Sequence, residues 1–171
     1  MKRLSSLFLL ASLALLVSCG GKEEKKEEKE SLKIGTSKEA EKQEDSKTVE
    51  VSLTGNDMMK FNKNEIRVKA GQEVTLTLSH VGTMKKIVMG HNFTLLKPGT
   101  SIQEFALKAS EAGEEKDWIP EDGKEVIAHT KMLGGGESDS VTFMAPEPGT
   151  YDFICSFPGH SALMKGKFIV E

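Results

Sequence analysis

Eight short runs between Val49 and Glu171 alternate apolar with polar or small residues: Val49-Val51-Leu53, Ile66-Val68, Val74-Leu76-Leu78, Phe93-Leu95, Val126-Ala128, Val141-Phe143, Tyr151-Phe153-Cys155 and Phe168-Val170. A period of two is that of a strand with one face buried. Turn chemistry separates the runs, at Ala70-Gly71, Lys97-Pro98-Gly99, Gly134-Gly135-Gly136 and Pro146-Glu147-Pro148-Gly149. Short strands separated by turn signals predict an all-β, antiparallel sandwich. The 123 residues from Val49 to Glu171 suffice to bury about two-thirds of their surface in one core. One segment departs from the pattern. Ile102, Phe105, Ala106 and Ala109 fall on one helical face, and Ser101 with Glu104 forms a capping box, so one short helix starts near Ser101 and ends before Gly113. It should pack Phe105 against the sandwich edge. No internal repeat is visible.

The N-terminal part is of a different kind. Lys2 and Arg3 precede an apolar run from Leu4 to Val17 that is short for a membrane span. It ends in Leu16-Val17-Ser18-Cys19, which resembles the cleavage box of bacterial lipoprotein precursors. That resemblance implies a signal peptide over residues 1–18 and a diacylglycerol on Cys19; an ordinary secretory signal that ends beside a cysteine is the plainer alternative. From Gly20 to Lys47, 17 of 28 residues are charged, eight basic and nine acidic. Such a stretch has nothing to bury, so residues 19–47 read as a lipidated tether with a mean reach of roughly 30 Å, and residues 48–171 as the folded domain. Removing residues 1–18 takes away Lys2 and Arg3 and no acid, moving the formal charge from −3 to −5. No basic footprint for nucleic acid remains. With Cys19 lipidated, Cys155 is the remaining thiol, and a lone thiol in an oxidising compartment needs protection such as metal ligation.

Cys155 opens the stretch Cys155-Ser156-Phe157-Pro158-Gly159-His160-Ser161-Ala162-Leu163-Met164. A thiolate, an imidazole and a thioether on one loop form a soft donor set that suits copper better than magnesium or calcium. A second imidazole would complete a plane of two His and one Cys with a weak axial Met, the pattern of a blue copper site; His91, in Val88-Met89-Gly90-His91-Asn92, is the candidate. Each residue alone has a plainer reading: Cys155 as an inert buried thiol, His160 as an exposed polar side chain, Met164 as packing.

The segments around His91 and Cys155–Gly166, together with Gly55-Asn56-Asp57, Leu78-Ser79-His80, Ala128-His129-Thr130-Lys131 and Asp139-Ser140-Val141-Thr142-Phe143, closely resemble the azurins, type 1 copper proteins of cupredoxin fold. The resemblance covers roughly Val49 to Glu171. It implies a Greek-key sandwich of about eight strands and one type 1 copper ion held by His91, Cys155, His160 and Met164, with the carbonyl of Gly90 facing the ion from the other axial side. It further implies that the Asn92 amide ties the two ligand segments together, and that Phe157 packs beside the thiolate with its N–H toward the sulfur. Met59, Met84, Met89, Phe157, Pro158, Gly159 and Ala162 match positions that in the family form an apolar rim around the exposed edge of the C-terminal His ligand, here His160, a surface for brief docking. Two departures stand out. The family's disulfide positions correspond to Val49 and approximately Gly71, and its buried tryptophan to Phe93, whereas the sole tryptophan here is Trp118. His80 should be buried and hydrogen-bonded, and His129 near the surface; neither completes a metal plane.

The function that follows is single-electron transport between donor and acceptor proteins by a monomer, exported and lipid-anchored to a bacterial membrane facing the periplasm or cell surface. No bond-making enzyme chemistry is required. The alternative is a copper delivery or storage lipoprotein, for which the eight methionines speak. A Cys-His hydrolase lacks a recognisable orienting residue and leaves Met164 idle. Four histidines are too few for a multicopper oxidase.

Overall fold

Along β1 (Thr48–Asn56) Val49, Val51, Leu53 and Gly55 are buried while Thr48, Glu50 and Ser52 between them face solvent. β4 (Glu73–His80) repeats this with Val74, Leu76, Leu78 and His80. The computed structural model describes residues 46–171; the expectations for residues 1–18, for Cys19 and for nearly all of the tether lie outside them. The remaining strands are β2 (Lys60–Phe61), β3 (Glu65–Val68), β5 (Thr94–Leu96), β6 (Val126–His129), β7 (Ser138–Met144), β8 (Gly149–Ile154) and β9 (Lys165–Val170). All eight expected strands are present, and β2, two residues long, joins them as a hairpin on β1.

The strands form two sheets, in the orders β2-β1-β4-β7 and β3-β9-β8-β5-β6. Pairing is mixed. β1 runs parallel to β4, from Thr48 opposite Glu73 to Gly55 opposite His80, and β3 runs parallel to β9. This corrects the antiparallel expectation. Period-two alternation is the same for either direction, and direction is decided by the crossing of the chain: β3 belongs to the second sheet, so β4 returns beside β1 in the same sense. Leu53, Leu76, Leu78, Phe93, Leu95, Phe153, Met164 and Phe168 fill the space between the sheets, with Phe153 against Phe61 and Phe93 at centroid distances of 5.8 and 5.5 Å. Ser46 and Lys47 are tied to the start of β4: Gln72 Nε2 donates to the Ser46 carbonyl and the Glu73 N–H to that of Lys47.

Among the described residues two α-helices accompany the strands. α1 (Lys86–Met89) is a single turn that buries nothing, too short for a periodic signal. α2 (Ile102–Ala112) starts at Ser101, whose hydroxyl accepts from the Glu104 N–H at 3.4 Å, and stops at Gly113 with φ 68°, a value glycine adopts without strain. Its buried residues, Phe105 and Ala109, do not join the main core. They build a second cluster with Leu96, Trp118, Ile119, Val126, Met132 and Ile154 on the outer side of the second sheet.

Thr94 sits in β5 between these clusters, and its hydroxyl is the one buried side-chain polar atom without a partner among the described residues. A hydroxyl stranded there costs about 1–3 kcal/mol of desolvation. Thr94→Val keeps the shape and removes that cost, so urea unfolding of the variant should show stability raised by about 1 kcal/mol; a destabilised variant would mean that the hydroxyl is satisfied in solution.

Candidate metal centre

β5 and β8 set the register of the site. Thr94 lies opposite Ile154 and Leu95 opposite Phe153, so one and two steps further on Phe93 faces Cys155 and Asn92 faces Ser156. At that point the sheet ladder gives way to side chains. Asn92 Nδ2 donates to Ser156 Oγ at 2.7 Å, and the Ser156 N–H donates back to Asn92 Oδ1 at 2.8 Å. These two bonds weld the His91 segment to the Cys155 segment. The loop after Cys155 closes on itself: the Cys155 N–H donates to the Met164 carbonyl at 2.9 Å and the Met164 N–H to that of His160 at 2.7 Å. A 3-10 turn over His160–Ala162, entered through Gly159 at φ 81°, points His160 back at the sulfur.

Cys155 Sγ consequently lies 3.6 Å from His160 Nδ1, 4.0 Å from His91 Nδ1 and 3.7 Å from the Gly90 carbonyl. The three donor atoms of His91, Cys155 and His160 fall within 4.8 Å of one another, and all three residues are buried. A first-row ion binds such sulfur and nitrogen donors at about 2.0–2.3 Å, which in a trigonal plane puts them about 3.7 Å apart, so the observed spacings fit one shared ion. The tautomer fits as well. His91 Nε2 is 2.8 Å from the Asn56 carbonyl, which can only accept; Nε2 therefore carries the proton, and Nδ1 presents its lone pair to the sulfur. Burial lowers the pKa of His91, and burial with the neighbouring His91 brings His160 to about 4, so both imidazoles are neutral, as ligation requires. Burial pushes the Cys155 thiol up to about 12, against the pull of the Asn92 and Phe157 N–H groups. A cation held between these donors turns the thiol into a thiolate.

Close packing explains the glycines and the remaining donors. A methyl group on Gly55 would meet His91 Cδ2 at 2.8 Å and Met164 Cε at 3.3 Å, which locates the fully buried Met164 thioether beside the His91 ring. On Gly90 a methyl group would meet the Lys86 carbonyl, Phe157 and Met132 within 2.9 Å. Only glycine lets the Gly90 carbonyl lie this near the sulfur.

The loop carrying His91 is clamped from both sides. The Asp57 carboxylate accepts from the Thr83 N–H at 2.8 Å, from its hydroxyl at 3.2 Å and from the Met84 N–H at 3.3 Å, and the Thr83 N–H is the main reason its pKa lies below the usual range. Opposite it, the Gly135 and Gly136 N–H groups donate to the carbonyls of Met84 and His80, both at 2.8 Å. His80, 1% exposed, stacks on His91 at 4.2 Å between ring centroids. Its Nε2–H donates to the Met89 carbonyl and its Nδ1 accepts from the Gly82 N–H. His129 is exposed, away from the donors, and donates to the Thr130 carbonyl.

Of the rim residues, Met84, Pro158 and Ala162 are exposed, whereas Met59 and Met89 are half-buried. Sequence reasoning missed larger contributors to the exposed apolar surface, Val81, Ile87, Val88 and Leu163. Adjacent Ile87 and Val88 after two lysines were a local signal of an apolar tip. Ser156, Asp57 and Gly55 were also missed as supports; the only hint for Ser156 was a small polar residue directly after Cys155.

Residues 47–171 match the copper binding proteins of the plastocyanin/azurin family. Azurin of Pseudomonas aeruginosa is 47% identical over 125 residues, covering 71% of this chain and 84% of the relative. Azurin of Pseudomonas denitrificans is 45% identical over 125 residues, covering 71% and 97%. Among solved structures, auracyanin A, a "blue" copper protein of Chloroflexus aurantiacus, aligns with TM-score 0.67 and 33% identity over 72% of this chain and 99% of its own. Dithionite-reduced auracyanin of Roseiflexus castenholzii aligns with TM-score 0.65 and 36% identity over 74% and 98%.

Proposed function

The chain belongs to the plastocyanin/azurin family of copper-binding proteins, and on that premise we propose that it is a blue copper protein carrying single electrons between redox partner proteins. His91, Cys155 and His160 would hold one type 1 copper ion, with the Met164 thioether and the Gly90 carbonyl as the further donors. Bound copper supplies the one-electron chemistry by alternating between Cu(I) and Cu(II). The residues supply a frame in which the three donors converge, and that convergence is the observation carrying the reading. A prebuilt site needs little rearrangement when the charge changes. Copper-loaded protein should be intensely blue and give a reversible one-electron wave in voltammetry; a colourless or irreversible product would refute the assignment.

The rivals fit less well. Copper delivery calls for exposed, exchangeable donors, whereas His91 and Cys155 are 0% exposed and His160 3%. A nucleophilic cysteine needs a lowered pKa and room for substrate, whereas this thiol is raised and enclosed.

Electrons leave near His160, over the rim formed by Met59, Met84, Met89, Pro158 and Ala162 and widened by Val81, Ile87, Val88 and Leu163. An apolar rim suits brief contact with donor and acceptor proteins. Met89→Glu places a charge that an encounter must desolvate, so self-exchange measured by NMR line broadening should slow by about tenfold or more with the potential nearly unchanged. A wild-type rate would move the exit elsewhere.

The protein acts as a monomer and is exported and held on a bacterial membrane by lipid on Cys19, facing the periplasm or the cell surface. Full-length protein should partition with membranes and Cys19→Ala with the soluble fraction, while residues 46–171 alone keep colour and potential. Membrane association of the alanine variant would rule out the anchor.

A further inference from the structure

Four ring contacts run end to end through the metal centre: Trp118 to Phe157 at 5.1 Å, Phe157 to His160 at 4.6 Å, His160 to His91 at 5.1 Å and His91 to His80 at 4.2 Å between centroids. Each imidazole donor is thereby flanked by a ring that is not a donor. The two are oriented differently, however. His91 is fixed by its bond to the Asn56 carbonyl. His160 Nδ1 has Cys155 Sγ as its polar neighbour at 3.6 Å, a weak anchor for the plane of the ring, and the ring packed against it is Phe157.

Phe157 is itself half-buried and packs against both apolar clusters. Trp118, 5% exposed, belongs to the second cluster and packs on Phe157. An independent feature marks Trp118. It and Asp117 have φ values of 55° and 49°, the left-handed region that a bulky residue avoids. The turn is held by the Trp118 N–H donating to the Gly113 carbonyl and the Ile119 N–H to that of Lys116. Backbone held in an unfavourable region points to a demand on where the side chain goes, and here it delivers an indole to Phe157.

We propose that Trp118 is a positioning residue for His160, acting through Phe157, so that the packing of the 101–124 segment sets the affinity of the metal centre. This rests on the copper reading above for its second measurement, but the first is made without metal. In metal-free full-length protein, the ring-proton NMR resonances of His160 should move in Trp118→Leu and return toward wild type in Trp118→Phe. Phe105→Leu loosens the same cluster at a ring that makes no aromatic contact with Phe157, whose ring partners are Trp118 and His160, and should leave them in place. In copper competition against a chelator, Trp118→Leu should lose about tenfold in affinity, the low end for groups one layer behind the donors. Phe105→Leu should lose none at a comparable drop in melting temperature. Phe157→Leu should match the Trp118→Leu loss, and the double variant should lose no more than either alone. The proposal is overturned if Phe105→Leu reproduces the Trp118→Leu shifts, if the losses of Trp118→Leu and Phe157→Leu add, or if Trp118→Leu leaves His160 unmoved. If wild-type protein fails to bind copper at all, the copper reading falls, while the metal-free resonances still decide the role of Trp118.

Discussion

Replacing Cys155 by serine removes the intense visible absorption of the copper-loaded protein and leaves the sandwich folded. The absorption requires a thiolate donating charge to the ion, and a serine hydroxyl is neither deprotonated nor soft enough to replace it. The fold does not depend on the sulfur. The backbone bond from the Cys155 N–H to the Met164 carbonyl persists in the variant, while a serine hydroxyl, held closer to Cβ than the sulfur, falls short of His160 Nδ1 and the Gly90 carbonyl, which lie 3.6 and 3.7 Å from Sγ. Metal-free Cys155→Ser should therefore stay folded and lose about 1–3 kcal/mol in urea unfolding, the cost of a buried hydroxyl without a partner. Absorption spectra with metal analysis check the first half and urea titration the second. A blue serine variant would exclude Cys155 as the ligand.

Asn92→Ala should be the most damaging substitution away from the donors. It deletes both bonds joining the ligand segments and strands the Ser156 N–H, in a position where Asn92 is 0% and Ser156 1% exposed. Each buried group left without a partner costs about 1–3 kcal/mol, so metal-free protein should lose about 2–5 kcal/mol in urea unfolding. Copper affinity should fall as well, by about 10–100-fold, as for other groups that orient ligands. Chelator competition measures that loss. Unchanged affinity with reduced stability would show that the weld holds the fold and not the site.

Much of the centre was legible because its information is local. Cys155, His160 and Met164 share one loop, so their spacing alone announces a soft metal site. Ser101, Glu104 and the spacing of Phe105 and Ala109 announce α2, since capping and the 3.6-residue period are properties of neighbouring residues. The strands were legible for the same reason: Val74, Leu76 and Leu78 alternate with Glu73, Thr75 and Thr77 whatever lies beside them.

What lay beside them was settled by tertiary structure. The parallel pairing of β1 with β4 leaves no trace in either strand, because alternation fixes which face is buried and not the direction of the neighbour. The lone pair on His91 Nδ1 is decided by the Asn56 carbonyl at the end of another strand. The stacking of His80 on His91 and the seating of Trp118 against Phe157 arise only when sheet register and α2 packing bring remote segments together. The sequence alone determined which residues could bind copper and which segments would be strands. Which imidazole nitrogen faces the sulfur, how the rings are held and which hydroxyl is left stranded are pairwise matters, and contacts between distant residues exist only in the assembled fold.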